Sequence, residues 1–214
     1  MIGIYGGSFD PVHLGHLNTA KSIKKELNFE RLFLLPCFEP VHKNSLHYSS
    51  TQRLEMLDLA IKKCPSLEID TREIDRGGNS FMIDTLAELI KEFKGKTICL
   101  IIGMDSFINF KTWKKWDEFA RLVHLIILPR KTNQPFQKNL DTFDLALDKN
   151  DLSKKPSGLL YFSNSQLIDI SSTDIRGKIA SKHTLDLSLI HISEPTRRVV
   201  ISYAVFCLKK KKMS

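Results

Sequence analysis

The chain has 214 residues and 42% hydrophobic side chains, enough to form one packed domain. It has no apolar run of about 18 residues and no secretory signal pattern at its start, so we expect a cytoplasmic protein without a membrane partner. Its four cysteines form no Cys-x-x-Cys pair, which excludes the usual zinc and redox motifs, whereas the net charge of +8 is compatible with a nucleic-acid partner.

Strand and helix patterns alternate along the chain. Short apolar runs predict strands at residues 1–5, 31–36, 67–71, 97–103, 123–128 and 159–162. Apolar residues at helical spacing predict helices at residues 14–27, 50–64, 80–93 and 175–179. The polar stretch 129–155 is predicted to be a surface loop. Because unbroken apolar strands alternate with helices, we predict an α/β fold with a doubly wound parallel sheet.

The segment between the first strand and the first helix carries the clearest chemical signal. Residues 6–16 read GGSFDPVHLGH. Gly6 and Gly7 allow a ligand to approach the backbone closely, and the helix start supplies unpaired N–H groups and partial positive charge. His13 and His16 are three residues apart, so both imidazoles lie on one face of the first turn and can donate to phosphate oxygens. The segment therefore predicts a phosphate site.

A second segment of the same kind lies near residue 170, where ISSTDIR follows a strand and precedes a helical stretch. Ser172 and Thr173 can cap that helix, and their hydroxyl and N–H groups can face a phosphate chain. Arg176 adds a permanent charge with a forked set of donors. Taken alone, the segment is also explained by an ordinary helix cap followed by a solvated arginine.

The central strand ends in IIGMDS, at residues 101–106. Gly103 lets the backbone come close to a nucleotide, and Asp105 is a candidate for binding ribose hydroxyls. An aspartate after a buried strand is also a common helix N-cap. In open parallel sheets, ligands bind beyond the carboxyl ends of the strands, and all three segments follow a strand.

The signature Gly-[Ser/Thr]-Phe-Asp-Pro-x-His-x-Gly-His, together with the later Ile-Ser-Ser-Thr-x-Ile-Arg, resembles the HxGH nucleotidyltransferases, which have a Rossmann-like fold. Four further segments resemble the bacterial nicotinate-mononucleotide adenylyltransferases within that superfamily. They are PVHK at 40–43, RLEM at 53–56, SFMIDTL at 80–86 and FKTWKKW at 110–116. Phe81 and Met82 depart from the family's Ser-Tyr-Thr-x-Asp-Thr-Leu pattern.

The resemblance implies transfer of AMP from ATP to nicotinate mononucleotide, with His13, His16 and Arg176 as the catalytic residues. It implies an ATP site that includes Gly6, Gly7, Ser8, Phe9, His16, Gly103, Asp105, Ser171, Ser172, Thr173 and Arg176. Mg²⁺ is expected to arrive with ATP, held mainly by phosphates and water, with no metal site of the protein's own. A homo-oligomer is compatible with the sequence.

For the mononucleotide, the resemblance implies a site formed by Asp10, His42, Lys43, Asp84, Thr85 and Trp113. Trp113 can stack on the flat, electron-poor pyridine ring. The Thr85 hydroxyl and nearby N–H groups can bind the nicotinate carboxylate. His42 and Lys43 can reach the phosphate of the mononucleotide.

The end of the chain resembles translated adapter DNA rather than a natural protein sequence. Residues 187–197 read LSLIHISEPTR and residues 201–212 read ISYAVFCLKKKK, which resemble translated sequencing adapters. We therefore predict a nucleotidyltransferase domain at 1–186 and a non-native tail at 187–214. Arg197, Arg198 and Lys209–Lys212 against Glu194 place five of the eight excess positive charges in that tail. The charge argument for a nucleic-acid partner is thereby weakened, and we expect none.

Three alternatives stay open at this point. One is another HxGH nucleotidyltransferase, such as pantetheine-phosphate adenylyltransferase or a cytidylyltransferase, although the context of Trp113 and of Asp84 and Thr85 argues against both. Another is a nucleotide- or RNA-binding domain without catalysis. The last is an inactive gene fragment, since the family's usual closing segment is missing after Ile179 and a loss of stability is expected.

Overall fold

A computed structural model describes residues 1–40, 46–128, 141–165 and 171–180, with side chains as far as 177 in the last of these ranges. Two predicted substrate residues, His42 and Lys43, lie outside the described residues. So do the predicted tail and its boundary at residue 186. The helices described include none that is both long and apolar enough to cross a membrane.

The fold is built on a seven-stranded sheet in which every pair of neighbouring strands is parallel. The strand order is β3-β2-β1-β4-β5-β7-β6. The strands are β1 (Ile2–Gly7), β2 (Arg31–Pro36), β3 (Glu68–Ile69), β4 (Ile98–Gly103), β5 (His124–Leu128), β6 (Asp144–Leu145) and β7 (Leu159–Phe162). The predicted α/β class and parallel sheet are confirmed.

The helices cover both faces of this sheet. They are α1 (Leu14–Glu26), α2 (Ser50–Ile61), α3 (Arg72–Arg76), α4 (Met82–Glu92), α5 (Met104–Ile108) and α6 (Ser172–Ala180), with 3₁₀ turns at Phe110–Thr112, Trp116–Arg121 and Lys149–Ser153. Side chains of β4 alternate between the two cores: Ile101 packs with α1 and α2, while Leu100 packs with α4. The sheet is therefore doubly wound, as two-residue periodicity in a strand buried on both faces requires.

The prediction of a surface loop at 129–155 was wrong for its described part, residues 141–155. There, β6 pairs with β7, and Leu152 is fully buried in the following 3₁₀ turn. This part of the chain is held by His124, a buried strand residue whose Nδ1 accepts the backbone N–H of Leu159 at 3.0 Å. Its Nε2 therefore carries the proton and donates to the carbonyls of Leu152 and Lys155, at 3.1 and 2.9 Å. Burial lowers the pKa of His124, which keeps this arrangement neutral.

Candidate active site

A cavity of about 750 Å³ lies at the carboxyl edge of the sheet, where β1 and β4 end side by side. The chain that leaves β1 packs on one face through α1, whereas the chain that leaves β4 packs on the other through Phe107 and Phe119. This reversal of strand order is where open α/β sheets bind ligands. We call the part formed by residues 6–16 and 171–176 the phosphate end. The part formed by Phe81, Met82, Trp113 and Lys114 is the acceptor end.

The backbone of the phosphate end is shaped by the packing of Phe9. Its ring is buried in the core and makes edge contacts with Tyr5 and His16. A Cβ at Gly7 would come within 3.2 Å of this ring, so glycine is the residue that fits there. Phe9 itself has φ of +46°, a conformation that is costly for a residue with a side chain. Phe9 is among the residues that border the cavity, and its buried side chain holds the turn in place.

The two histidines lie against each other at the start of α1. Their ring centroids are 3.7 Å apart and nearly parallel, at 27°. The backbone N–H of His13 donates to Nδ1 of His16 at 3.3 Å. A neutral His16 that accepts at Nδ1 carries its proton on Nε2, which makes that nitrogen a donor. Both residues border the cavity, as their placement on one helical face predicts.

The start of α6 contacts the phosphate loop although the two segments are far apart in sequence. The Ser172 hydroxyl donates to the carbonyl of Pro11 at 3.0 Å. Arg176 donates from Nη1 to the carbonyl of Asp10, and from Nη2 to the Thr173 hydroxyl. Ser172, Thr173 and Arg176 all border the cavity. The two signature segments thus form one site.

The cap of α6 is not the one the sequence predicts. Ser171 accepts the backbone N–H of Asp174 at 3.1 Å, and its hydroxyl donates to the Asp174 carboxylate at 2.6 Å. The prediction that Ser172 and Thr173 cap the helix was wrong, because the helix begins at Ser172 and Ser171 occupies the capping position. Ser172 and Thr173 are released from capping and make the contacts described above.

The end of β4 also borders the cavity, through residues 102–106. A Cβ placed on Gly103 would meet no atom within 4 Å, so the space above this backbone is open. Asp105 is exposed, borders the cavity and occupies the second position of α5. It is therefore not the N-cap, which is Gly103. The ribose role of Asp105 stays a prediction.

The acceptor end contains Trp113, as predicted for the mononucleotide site. Trp113 is half-buried against Phe110 and Phe119, and it borders the cavity. Lys114 lies beside it, with Nζ 4.4 Å from the centroid of the Phe81 ring. One face of this end is therefore aromatic, which suits a flat ring.

Asp84 and Thr85 are not among the residues that border the cavity. Asp84 is exposed and pairs with Lys114 at 3.0 Å. Thr85 is fully buried; its hydroxyl donates to Glu73 at 2.7 Å and accepts from Arg76 at 2.7 Å. A neighbouring carboxylate and guanidinium thus already engage the Thr85 hydroxyl, and its role as a ligand of the nicotinate carboxylate stays a prediction that this geometry does not favour.

Comparison with known proteins agrees with this geometry. A profile of the cytidylyltransferase-like family matches residues 4–178. A relative from Vesicomyosocius okutanii is 44% identical over 86% of this chain and 88% of its own length, and one from Methylococcus capsulatus is 36% identical over 89% and 97%. Both are named "Probable nicotinate-nucleotide adenylyltransferase". The chain belongs to the nicotinate-nucleotide adenylyltransferase family.

Solved structures of this family share the fold. Nicotinic acid mononucleotide adenylyltransferase of Plasmodium falciparum, complexed with NaAD, superposes with a TM-score of 0.65. The alignment covers 99% of this chain and 96% of that one, at 16% identity. At such low identity the likeness establishes the Rossmann-like architecture alone.

Two residues of this family member shape the site although neither was assigned a role from its sequence pattern. Arg53 of α2 is fully buried and donates to the carbonyls of Ser8 and Phe38, at 2.8 and 2.9 Å. It thereby ties the phosphate loop to the chain that follows β2. Its place in the RLEM segment was the available signal. Glu73 is a buried carboxylate at the cavity wall, and burial raises its pKa. Its neighbours in sequence are typical of a surface helix and gave no signal.

The described parts of this adenylyltransferase contain no group of three or more histidine, cysteine, aspartate or glutamate side chains arranged to hold a metal ion. The side chains at the phosphate end include imidazoles, hydroxyls and a guanidinium, all of which can donate to phosphate oxygens, while the Asp10 carboxylate accepts two backbone N–H groups. This donor set suits the phosphate chain of a nucleotide that carries its own Mg²⁺.

Proposed function

We propose that this chain transfers the adenylyl group of ATP to nicotinate mononucleotide and releases pyrophosphate. The product is nicotinate adenine dinucleotide. One observation carries the proposal: the GGSFDPVHLGH loop and the start of α6 meet at one cavity, through Ser172 and Arg176. Membership of the nicotinate-nucleotide adenylyltransferase family supports the choice of substrates.

The reaction needs positioning and charge stabilisation more than proton transfer. The phosphate of the mononucleotide is already ionised at neutral pH and attacks the α-phosphorus of ATP, from which pyrophosphate leaves. No general base is required, so the protein's contribution is to align the two reactants and to donate hydrogen bonds to the charge that develops. Mg²⁺ enters with ATP as part of that substrate and neutralises its phosphate charge.

Each group at the phosphate end has a place in this scheme. His13 and His16 donate to oxygens of the α-phosphate. His16 donates from Nε2, which carries the proton because Nδ1 accepts the backbone N–H of His13. Arg176, through its remaining N–H groups, and Ser172, through its backbone N–H at the start of α6, hold the β- and γ-phosphates. At the acceptor end, Trp113 stacks on the pyridine ring. His42 and Lys43, outside the described residues, remain proposed ligands of the mononucleotide phosphate.

The test is a matrix of pyrophosphate-release assays on the purified chain. ATP and CTP are each combined with nicotinate mononucleotide, nicotinamide mononucleotide and phosphopantetheine. We expect turnover with ATP and nicotinate mononucleotide to exceed every other pair. Preference for CTP or for phosphopantetheine would contradict the proposal and favour another nucleotidyltransferase. The cytoplasmic location and the oligomeric state stay predictions.

A further inference from the structure

Asp10 connects three segments that border the cavity but are distant in sequence. It lies in the phosphate loop between Phe9 and Pro11. Its carboxylate accepts the backbone N–H groups of His47 and Tyr48, each at 2.9 Å, just before α2 begins. Both its carboxylate and its carbonyl oxygen face Arg176 of α6. Asp10 is thus a point where the phosphate loop, residues 46–48 and α6 are held together.

The Asp10 carboxylate is engaged inside the protein. The residue is 5% exposed, and both carboxylate oxygens accept a backbone N–H. A carboxylate that is buried and bonded in this way loses these bonds if it turns towards a ligand, at the cost of unsatisfied amides. A carboxylate beside a phosphate group also repels it. Both facts argue against the interpretation of Asp10 as a ligand of the mononucleotide.

The contacts of Arg176 show what Asp10 does instead. Nη1 of Arg176 donates to the Asp10 carbonyl and lies 3.5 Å from the Asp10 carboxylate. Nη2 donates to the Thr173 hydroxyl at 3.1 Å. Because a guanidinium is planar, two anchors on two of its nitrogens fix both its position and its plane. The Arg176 side chain remains 29% exposed and borders the cavity, so its remaining edge is presented to a ligand.

We propose that Asp10 is a positioning residue that orients the Arg176 guanidinium towards the phosphate chain of ATP. The inference rests on the proposed function, since it takes Arg176 as a phosphate ligand. For the loss of the Asp10 charge, the proposal predicts a change of ATP affinity opposite to the one that charge alone predicts. Removing a negative charge near a phosphate site should strengthen ATP binding by electrostatics alone. Asp10→Asn keeps the carbonyl that holds Arg176, but it removes the ion pair with Nη1 and one carboxylate acceptor for the N–H groups of His47 and Tyr48. The loop carbonyl and the guanidinium should then shift, and ATP binding should weaken.

The test uses the isosteric Asp10→Asn, Arg176→Gln and the double variant. ATP affinity is measured by calorimetry in the presence of Mg²⁺, and kcat and KM are measured for both substrates. We expect Asp10→Asn to weaken ATP binding by about ten-fold, the scale of one hydrogen bond to a charged group, because the loop and the guanidinium lose the carboxylate that holds them together. In the Arg176→Gln background, Asp10→Asn should have little further effect on ATP affinity. Glu30→Gln, which breaks an exposed pair with Lys96, is the matched control and should bind ATP as the unmodified chain does.

The outcomes are separable. ATP binding that is unchanged or tighter in Asp10→Asn, or an equal loss in both backgrounds, would overturn the positioning role. If Arg176→Gln binds ATP as tightly as the unmodified chain, the proposed phosphate role of Arg176 is itself wrong. Should Asp10→Asn fail to fold, Arg176→Lys carries the test, because lysine keeps the charge but has no plane to orient. Its ATP affinity should fall nearly as far as that of Arg176→Gln, and an unchanged affinity would overturn the proposal.

Discussion

The two ends of the cavity differ in how the chain forms them. At the phosphate end, every predicted residue borders the cavity, from Gly6 to His16 and from Ser171 to Arg176. At the acceptor end, Trp113 does so, whereas Asp84 and Thr85 do not. The first end is formed by two short segments at strand ends, where backbone geometry dictates position. The second is formed by packing between α3, α4 and the turns after α5, which no single segment specifies.

The same contrast appears in how the polar groups are used. At the phosphate end, donors such as the imidazole of His16 face the cavity. In α4, next to the acceptor end, the hydroxyl of Thr85 bonds to Glu73 and Arg76 inside the protein. We therefore expect substitutions at the phosphate end to affect turnover, and those around Thr85 to affect stability first.

The largest effect is expected for His16→Ala. Loss of one donor to the developing charge should lower kcat by about 10²–10³-fold, the range found when a single oxyanion donor is removed. The KM for ATP should change little, because the contact strengthens in the transition state rather than in the ground state. Steady-state kinetics with ATP and nicotinate mononucleotide measure both values.

His47→Ala serves as the histidine control, because it also removes an imidazole near the loop. His47 is exposed and bonds to Asp10 through its backbone, so kcat should stay within about two-fold of the unmodified chain. A kcat for His16→Ala that equals the control value would remove His16 from the reaction.

The next effect is on stability and concerns Arg53→Met. The methionine fills much of the space but leaves the carbonyls of Ser8 and Phe38 without their donors. An unsatisfied buried acceptor costs about 1–3 kcal/mol, so the free energy of unfolding should fall by about 2–4 kcal/mol. Urea denaturation measures it. Arg31→Met, at the exposed pair with Glu68, should cost less than about 1 kcal/mol, and an equal loss in both variants would contradict this ranking.

The fold was predictable because its signals are local and repeated. The structure contains all six predicted strands. Unbroken apolar runs such as ICLIIG in β4 are typical of strands that are buried on both faces of a parallel sheet. Strand β6 escaped prediction because it is two residues long and forms only by pairing with β7. The turn that follows it is held by the side chain of His124, which bonds to Leu152 and Lys155. Likewise, the Ser171 cap depends on where α6 begins, and helix boundaries shift by a residue or two.

The fate of Thr85 illustrates why the acceptor end resisted prediction. Its segment retains Asp-Thr-Leu, but the partners of its hydroxyl come from α3. This helix has five residues, four of them charged, so apolar spacing did not predict it. A residue's role depends on which neighbours reach it first, and those neighbours are set by tertiary packing. Segments whose backbone makes the site are therefore easier to interpret than segments whose side chains make it.

Thr85→Val tests this interpretation of the acceptor end. Valine matches threonine in shape but leaves Glu73 and Arg76 without the bridging hydroxyl, so stability should fall by about 1–3 kcal/mol. Thr85→Ser restores the hydroxyl and should recover most of that loss. The KM for nicotinate mononucleotide in Thr85→Ser should equal that of the unmodified chain. A large rise of KM in Thr85→Val without any loss of stability would return the hydroxyl to the substrate site.

Glu73 gives the same end a pH dependence. Burial raises its pKa above the ordinary 4.5, although bonds from Thr85 and Ser80 act in the other direction. The folded state therefore holds the proton more tightly, and its stability falls as pH rises from about 4.5 through the raised pKa. The loss is about 1.4 kcal/mol for each unit by which the pKa is raised. The free energy of unfolding of the unmodified chain, minus that of Glu73→Gln, should decrease as pH rises over this interval. An increase of this difference with pH would contradict the assignment.

The smallest effect is expected for Asp84→Asn. Asp84 and Lys114 form an exposed pair at 3.0 Å, with side chains 49% and 42% exposed, and solvent screens such pairs to less than about 1 kcal/mol. Stability should therefore fall by no more than that, and kcat/KM should stay within about two-fold, because Asp84 does not border the cavity. Lys114→Met removes the other partner, which does border it, and provides the comparison. A different result would contradict this expectation: Asp84→Asn lowers kcat/KM for nicotinate mononucleotide by ten-fold or more, while Lys114→Met does not. Asp84 would then contact the substrate directly and would belong to the acceptor end of the cavity.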